Sequence, residues 1–271
     1  MDVIWALPDV SGFAVTLDGA TLVGERRDGQ RSVPLLLVHG FGGSRRDWDP
    51  VLAALDGEVS TIAYDQRGFG ESSAEPGVSF SHANDLVALL DAFELDQVDL
   101  CGLSLGGATA LGCALDAPER VRRIVLVSPM LAGWSWSEEW IALWKAIGRA
   151  ARAGELETAR SLWWQHPLFA TTRESPRAEL LHRSIANFSG RQWVQDDQRD
   201  EWPMVERLHA VEAPTLLLTA ALDLPDFRLM AELIEAAIPN IARRDDPAAG
   251  HLLTLERAAE VAAAMSAFLR N

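Results

Sequence analysis

The chain has 271 residues, of which 48% are hydrophobic, and it carries a formal net charge of −15 at pH 7. This length is enough to bury a large core, and the negative charge argues against nucleic acids and anionic membrane surfaces as partners, because both are bound through basic patches. No apolar run reaches the roughly 18 residues of a membrane span, and the first residues lack the charged and apolar regions of a signal peptide, so we expect a soluble, cytoplasmic protein.

Strands and helices are predicted to alternate through residues 1–129. Asp18-Gly19 is a hairpin turn signal between the first two strands, and the later strands are continuous apolar runs, as expected when both faces are buried. The predicted strands are Phe13–Leu17, Thr21–Arg27, Val33–Val38, Val59–Tyr64, an apolar segment from Asp99 and Arg123–Val127. The predicted helices cover Arg45–Leu55, Phe80–Phe93 and the Ala-rich segment after Ser104. This alternation is typical of a mostly parallel sheet covered by helices on both faces.

The segment from Asp99 to Gly107 carries the pattern Gly-x-Ser-x-Gly between a strand and a helix. A serine at the tip of such a strand adopts a backbone conformation that is unfavourable in free energy for any residue other than glycine. The flanking Gly102 and Gly106 have no side chain, so the strand and the helix can approach closely. The start of the helix directs N–H groups toward the site, where negative charge would develop during acyl transfer. We therefore predict that Ser104 is a nucleophile and that the Leu105 N–H group is an oxyanion donor.

Two further glycine-bearing loops follow predicted strands. The loop His39-Gly40-Phe41-Gly42-Gly43-Ser44 leaves main-chain N–H groups free to point into a cavity, so the Phe41 N–H group is the second predicted oxyanion donor. His39 is expected to hold this loop by hydrogen bonds rather than to act as a base. The loop Asp65-Gln66-Arg67-Gly68-Phe69-Gly70-Glu71-Ser72 is expected to be braced by an ion pair between Asp65 and Arg67.

From Met130 to about Glu206 no strand is predicted, and this segment is expected to be a helical insertion rich in tryptophan. The helical spacing of Trp136, Trp140 and Trp144 produces one aromatic stripe. Most of these rings are expected to pack the insertion onto the rest of the molecule, and some, with Trp163, are expected to line an apolar substrate pocket. The chain is thus divided into a first core part at 1–129, a cap at 130–206 and a second core part at 207–271.

The alternation resumes after the insertion. A strand over Ala213–Thr219 precedes two candidate acids, Asp223 and Asp226, and Gly250-His251 lies ahead of the last helix. A helix over Phe227–Ala237 and an edge strand over Asn240–Arg244 lie between them.

A serine hydroxyl is a poor nucleophile at neutral pH, so it requires an imidazole to accept its proton and a carboxylate to orient that imidazole. The carboxyl ends of parallel strands open on one edge of the sheet, where Ser104, Asp223 and His251 would meet. Asp223 is preferred to Asp226 because it lies nearer the strand end. The other histidines lie in helical or insertion contexts and are expected to be surface or packing residues; they are His82, His166, His182 and His209.

The two cysteines, Cys101 and Cys113, fall in the predicted strand before Ser104 and the helix after it. Buried structural thiols are therefore expected there rather than a disulfide or a metal site. The predicted chemistry requires neither a metal nor an organic cofactor.

Taken together and in this order, these motifs resemble the α/β-hydrolase family, and the resemblance covers nearly the whole chain outside the insertion. The residues that carry it are His39–Ser44, Asp65–Ser72, Gly102–Gly107, Asp223 and Gly250-His251. The resemblance implies an eight-stranded, mostly parallel sheet with a helical cap between the sixth and seventh strands. It also implies a triad of Ser104, Asp223 and His251. A serine rather than an aspartate at the nucleophile position argues against haloalkane dehalogenases and epoxide hydrolases.

The function expected from this resemblance is a serine esterase that cleaves small, largely apolar carboxylic esters or lactones, as a monomer or homodimer. Two alternatives remain open at this point. A carbon–carbon bond hydrolase or a lyase similar to that of the menaquinone pathway would use the same residues, with an arginine such as Arg149, Arg160 or Arg191 facing an anionic substrate. A ligand receptor that keeps the fold but has little turnover belongs to a different class.

Overall fold

The computed structural model describes residues 10–55, 57–199 and 203–270, and a single eight-stranded sheet runs through it. The strand order across the sheet is β1-β2-β4-β3-β5-β6-β7-β8. The strands are β1 Val10–Leu17, β2 Ala20–Arg27, β3 Leu35–Val38, β4 Thr61–Tyr64, β5 Val98–Leu103, β6 Val121–Val127, β7 Thr215–Ala220 and β8 Ile241–Asp246.

The first two strands form the predicted hairpin, in which Leu17 pairs with Ala20 around the turn at Asp18-Gly19. This hairpin joins the sheet through antiparallel pairing of β2 with β4, and all the remaining pairs are parallel. Every residue of β3, β4, β5 and β7 is buried, as the continuous apolar runs predicted. The carboxyl ends of the parallel strands therefore open together on one edge, which is where the site loops follow.

Helices cover both faces of the sheet. Their bounds are α1 Asp49–Leu52, α2 His82–Ala92, α3 Leu105–Asp116, α4 Glu138–Arg152, α5 Leu156–Trp164, α6 Ala170–Glu174, α7 Ala178–Asn187, α8 Arg191–Val194, α9 Pro225–Ala237, α10 Leu253–Glu256 and α11 Ala258–Arg270. Two clusters of buried apolar side chains, one against each face, form the core.

The helix predicted over Arg45–Leu55 is shorter and divided. A 3₁₀ turn at Arg45–Trp48 leads into α1, and a capping box between Ser44 and Asp47 starts the turn. Pro50 has no N–H group, so it cannot donate the bond that would continue one regular helix through this point.

Between β6 and β7 the described residues are mostly helical and contain α4 to α8. Within them, β-type pairing is limited to an isolated bridge between Phe80 and Gln198. We call residues 130–206 the inserted segment. Trp5 and Trp202 lie outside the described residues, and the exact division of the chain into core and cap stays a prediction.

The expected ion pair between Asp65 and Arg67 is wrong. Asp65 instead pairs with the buried Arg45 guanidinium and also accepts a 2.7 Å bond from the Arg45 N–H group. Arg67 donates two 2.7 Å bonds to Asp85 on α2. The two residues therefore brace the loop against different elements, Asp65 against the 3₁₀ turn that holds Arg45 and Arg67 against α2.

Both cysteines are buried free thiols, and burial raises the pKa of each, for Cys113 to about 12. In the ranges that the structure describes, every helix is too short or too polar to cross a membrane.

Candidate active site

Ser104 lies at the sharp turn between β5 and α3, with φ 52° and ψ −113°. The glycines two residues before and after Ser104 are required because there is no space for a side chain at either position. A Cβ atom at Gly102 would lie 2.1 Å from the Gly106 carbonyl oxygen, and one at Gly106 would lie 2.1 Å from the Val38 carbonyl oxygen. Strand and helix thus approach as closely as backbone allows, and the serine side chain is left at the cavity wall.

His251 and Asp223 meet beyond the ends of β8 and β7. The Nδ1 atom of His251 lies 2.8 Å from Oδ2 of Asp223, and the two residues are 1% and 8% exposed. The other carboxylate oxygen accepts a 2.7 Å bond from the Leu224 N–H group, which fixes the carboxylate plane. With Nδ1–H donating to the carboxylate, the free Nε2 atom of the ring can accept a proton. His251 lines the same cavity as Ser104.

Asp226, the alternative acid, faces the inserted segment. Its carboxylate accepts a 2.6 Å bond from the Ser137 hydroxyl and a 3.0 Å bond from the Trp134 indole N–H group. These bonds attach α9 to the start of α4. Asp226 therefore bonds to residues of the inserted segment, whereas Asp223 is the aspartate that contacts the imidazole of His251.

The loop after β3 is held against the loop after β4. His39 donates from Nδ1 to the Gly40 carbonyl oxygen at 2.7 Å, and its Nε2 atom accepts a 2.9 Å bond from the Gln66 N–H group. Burial lowers the pKa of His39, which keeps the ring neutral in this role. A Cβ atom at Gly40 would lie 3.5 Å from the Ser104 Cβ atom, so the loop passes close to the serine. Phe41 and Leu105 both line the cavity, and the N–H group of Leu105 opens α3, where helical N–H groups have no acceptor within the helix.

A cavity of about 350 Å³ lies between these loops and the inserted segment. Its wall is mostly aromatic and aliphatic, and the four tryptophans predicted for it all line it: Trp136, Trp140, Trp144 and Trp163. Trp136 and Trp140 stack with ring centroids 4.2 Å apart, and Phe227 packs 4.2 Å from the His251 ring. Apolar surface thus borders the imidazole, where it would exclude water from a bound acyl group.

Several polar residues on the cavity wall were not anticipated from the sequence. His82, expected to be a surface or packing residue, is 2% exposed and packs on the rings of Phe69 and Phe80. It also lines the cavity together with Gln192, Asp196 and Gln198, which the sequence did not indicate. Burial lowers the pKa of His82 to about 3, so its ring is neutral. No motif surrounds these residues, and they reach the same cavity because the inserted segment pairs with Phe80, just before α2.

The arrangement offers a hydroxyl, an imidazole oriented by a carboxylate, and main-chain N–H groups around an apolar cavity, which is what acyl transfer requires. Across the described residues, no group of three or more His, Cys, Asp or Glu side chains is placed to hold a metal ion.

Comparison with known proteins places this geometry in a family context. Over 117 residues, or 41% of this chain, the sequence is 37% identical to 2-hydroxy-6-oxo-2,4-heptadienoate hydrolase of Pseudomonas putida, and the match spans 42% of that protein. A longer match, 28% identical over 217 residues, covers 76% of this chain and 80% of RutD from Azorhizobium caulinodans, whose name proposes carbamate hydrolysis.

The structure is also similar to solved ones. A thermophilic esterase from Thermogutta terrifontis superposes with a TM-score of 0.79 at 25% identity, covering 97% of this chain and 98% of that one. Residues 33–258 match the family described as alpha/beta hydrolase fold. The chain therefore belongs to the alpha/beta hydrolase fold family, and it is a hydrolase.

Proposed function

We propose that this hydrolase cleaves carboxylic esters or lactones of small, largely apolar compounds through an acyl-enzyme intermediate. The observation that carries the proposal is the 2.8 Å contact between Asp223 and His251 beside an apolar cavity that Ser104 also lines. Further support comes from the similarity to an esterase along nearly the full chain.

In the proposed reaction, the Ser104 hydroxyl attacks the substrate carbonyl carbon while Nε2 of His251 takes its proton. The imidazolium then gives this proton to the leaving alcohol oxygen as the C–O bond breaks and the acyl group remains on Ser104. Water, deprotonated by His251, then attacks the acyl carbon. The bond from that carbon to the Ser104 oxygen breaks, the imidazolium returns its proton to this oxygen, and the acid is released. Asp223 keeps the imidazole in the required tautomer and stabilises its cation in both halves.

The N–H groups of Phe41 and Leu105 are the proposed donors to the tetrahedral oxyanion. The first lies in the loop after β3 and the second opens α3, and Gly40 brings that loop close to the serine. A donor of this kind lowers the barrier by about 3 kcal/mol, since it acts on charge that exists only in the transition state.

Replacing the nucleophile tests the proposal. The parent chain is expected to release a burst of p-nitrophenol from p-nitrophenyl esters and then turn over. Ser104→Ala is expected to abolish both the burst and the turnover, while far-UV circular dichroism and the unfolding midpoint stay close to those of the parent. Loss of fold in the variant would be resolved by trapping the parent Ser104 with a fluorophosphonate and locating the adduct by mass spectrometry. Full activity in a folded Ser104→Ala chain would contradict the assignment.

Carbon–carbon bond hydrolysis is the second candidate, because the chain matches a 2-hydroxy-6-oxo-2,4-heptadienoate hydrolase and a 2-hydroxymuconate semialdehyde hydrolase, which are carbon–carbon bond hydrolases. The arginines considered for an anionic substrate have other partners: Arg160 donates to the Phe188 carbonyl oxygen, and Arg191 to Asp197. Arg149 is exposed. A panel of esters, lactones, carbamates and vinylogous diketones separates the candidates by kcat/KM. Preference for the diketones would overturn the ester proposal, and tight binding without turnover of any member would favour a receptor.

A further inference from the structure

Two polar side chains on the cavity wall have a buried atom with no hydrogen-bond partner among the described residues. These atoms are Nδ1 of His82 and Oε1 of Gln192. A buried polar atom left unpaired costs free energy, so such atoms are paired with water or with a ligand in a functioning protein. Neither residue has a part in the reaction proposed above.

The two side chains belong to the same part of the wall. The centroid of the His82 ring lies 6.0 Å from that of the Phe69 ring. Nε2 of Gln192 donates a 3.0 Å hydrogen bond to the carbonyl oxygen of Gly68, which directly precedes Phe69 in the chain. Segment 196–199 completes this part, since Phe80 bonds to it on both sides, through Asp197 and Arg199. We call His82, Gln192, Asp196 and Gln198 the polar subsite.

The wall beside His251 has a different chemistry. Phe227 covers the imidazole, and the stacked Trp136 and Trp140 rings lie 5.6 and 5.8 Å from Phe227. The cavity therefore joins an apolar region to a polar one, and a substrate that fills it meets both.

The chemistry of the polar subsite restricts what it can bind. The Nε2 group of Gln192 donates to Gly68, which leaves the Oε1 atom of the same amide to bind a ligand. An amide oxygen can only accept a hydrogen bond, so the ligand must supply an O–H or N–H group. His82 is neutral and offers one donor and one acceptor. An anionic group is disfavoured by the Asp196 carboxylate. Among the described residues of the wall, the permanent cation is Lys145, which is exposed.

We propose that the polar subsite binds an uncharged hydroxyl or amide N–H group of the substrate, away from the scissile bond. This inference rests on the proposed ester hydrolysis and names its substrate class: hydroxylated or amide-bearing esters and lactones. A site built to hydrogen-bond such a group discriminates against the analogue that lacks it, because the buried polar atoms are then left unpaired.

Matched substrate pairs test the inference. Two series of increasing chain length are compared, p-nitrophenyl alkanoates with their ω-hydroxyalkanoates, and alkyl benzoates with ω-hydroxyalkyl benzoates. At one chain length the hydroxyl group is expected to raise kcat/KM about tenfold, the effect of one added hydrogen bond. Hydrolysis of the plain esters tests the proposed function separately, since it does not depend on the hydroxyl group.

Substitutions locate the effect. His82→Phe and Gln192→Leu keep size but remove the hydrogen-bonding atoms, and each is expected to bring the ratio of kcat/KM for the paired substrates close to one. His182→Phe and Gln165→Leu make the same changes at exposed positions on the inserted segment and are expected to keep the parent ratio.

If no ester is hydrolysed, calorimetry on the parent chain still decides the matter with pairs of alkanamides and ω-hydroxyalkanamides. Tighter binding of the hydroxylated member, lost in His82→Phe, would support the polar subsite. The inference is overturned if the hydroxyl group has no effect at any chain length, or if its effect persists in either His82→Phe or Gln192→Leu.

Discussion

Ser104 has a backbone conformation that costs a non-glycine residue roughly 1–3 kcal/mol, and its surroundings hold it there. Its N–H group donates to the Val127 carbonyl oxygen at 3.0 Å, and its own carbonyl oxygen accepts a 3.0 Å bond from the Met130 N–H group. These hydrogen bonds hold the backbone of Ser104, and they do not involve its hydroxyl group. Removing the hydroxyl leaves the turn intact, whereas any side chain at Gly102 or Gly106 would collide with main-chain atoms.

The two neighbouring aspartates are expected to behave differently when their charge is removed. Asp223→Asn should lower kcat by about 10⁴-fold, because the amide favours the wrong tautomer of His251. Asp226→Asn should change kcat little, because this carboxylate binds Ser137 and Trp134 rather than the imidazole. Steady-state kinetics with one p-nitrophenyl ester measures both, and a larger loss in Asp226→Asn would transfer the acid role to that residue.

At the scale of elements, three of the four connections that supply the site, those after β3, β7 and β8, are followed by a carboxylate that binds the inserted segment. These carboxylates stand at the starts of helical turns, where they accept hydrogen bonds from side-chain hydroxyl groups. The bonds join Asp47 to Ser184 at 3.2 Å, Asp226 to Ser137 at 2.6 Å, and Glu256 to Thr171 at 2.8 Å. The inserted helices and the site loops are therefore positioned relative to each other by direct contacts.

Glu256 provides a test of this coupling, because its other oxygen accepts a 2.8 Å bond from the N–H group of Gly250, beside His251. Glu256→Ala is expected to lower kcat about tenfold and to destabilise the fold by about 1–3 kcal/mol, since the Gly250 N–H group and the hydroxyl groups of Thr171 and Thr172 lose their acceptor.

The conservative Glu256→Gln variant separates positioning from bulk stability. Its amide can still accept from Gly250 and donate to a threonine hydroxyl group, so most of kcat should return. Thr172→Val, which removes one partner on the inserted segment alone, is the matched control and is expected to lose stability with a smaller change in kcat. Equal kcat values for Glu256→Ala and the parent chain would show that this carboxylate does not position His251.

For the whole molecule, the features that could be predicted from the sequence are those determined within short segments. Buried strands are recognisable as apolar runs, and Ser104 is recognisable from the flanking glycines that its sharp turn requires. The pairing of Asp65 with Arg45 rather than Arg67 could not be predicted, because two residues close together on one loop do not reveal which distant element each one contacts. The same holds for His82 and Gln192, which reach the cavity only through the packing of the inserted segment.

A pH dependence of stability follows from Asp47. Burial raises the pKa of its carboxyl group from 3.8 to about 7, so the folded chain keeps a proton that the unfolded chain has lost. The contribution of this group is therefore full below about pH 4 and falls as pH rises toward 7, by roughly 1.4 kcal/mol per pH unit. His82 and His166, with pKa values lowered to about 3 and 4, act in the opposite direction.

The difference between the parent chain and Asp47→Asn isolates the Asp47 contribution from that of the histidines. Urea unfolding across this pH range is expected to show the variant gaining stability relative to the parent as pH rises. Asp28→Asn, at a carboxylate with 65% side-chain exposure, is the matched control. A difference between variant and parent that stays constant with pH would contradict the expectation.

The three carboxylates at Asp47, Asp226 and Glu256 also define how the inserted segment could be exchanged. A foreign segment grafted between β6 and β7 would need to present O–H or N–H groups at the same three points, or the three carboxylates would lose the donors that the present segment supplies. Chimeric enzymes built by cutting only at Ser128 and Thr215 are therefore expected to succeed more often when the donor segment is chosen by these three attachment points than by sequence identity.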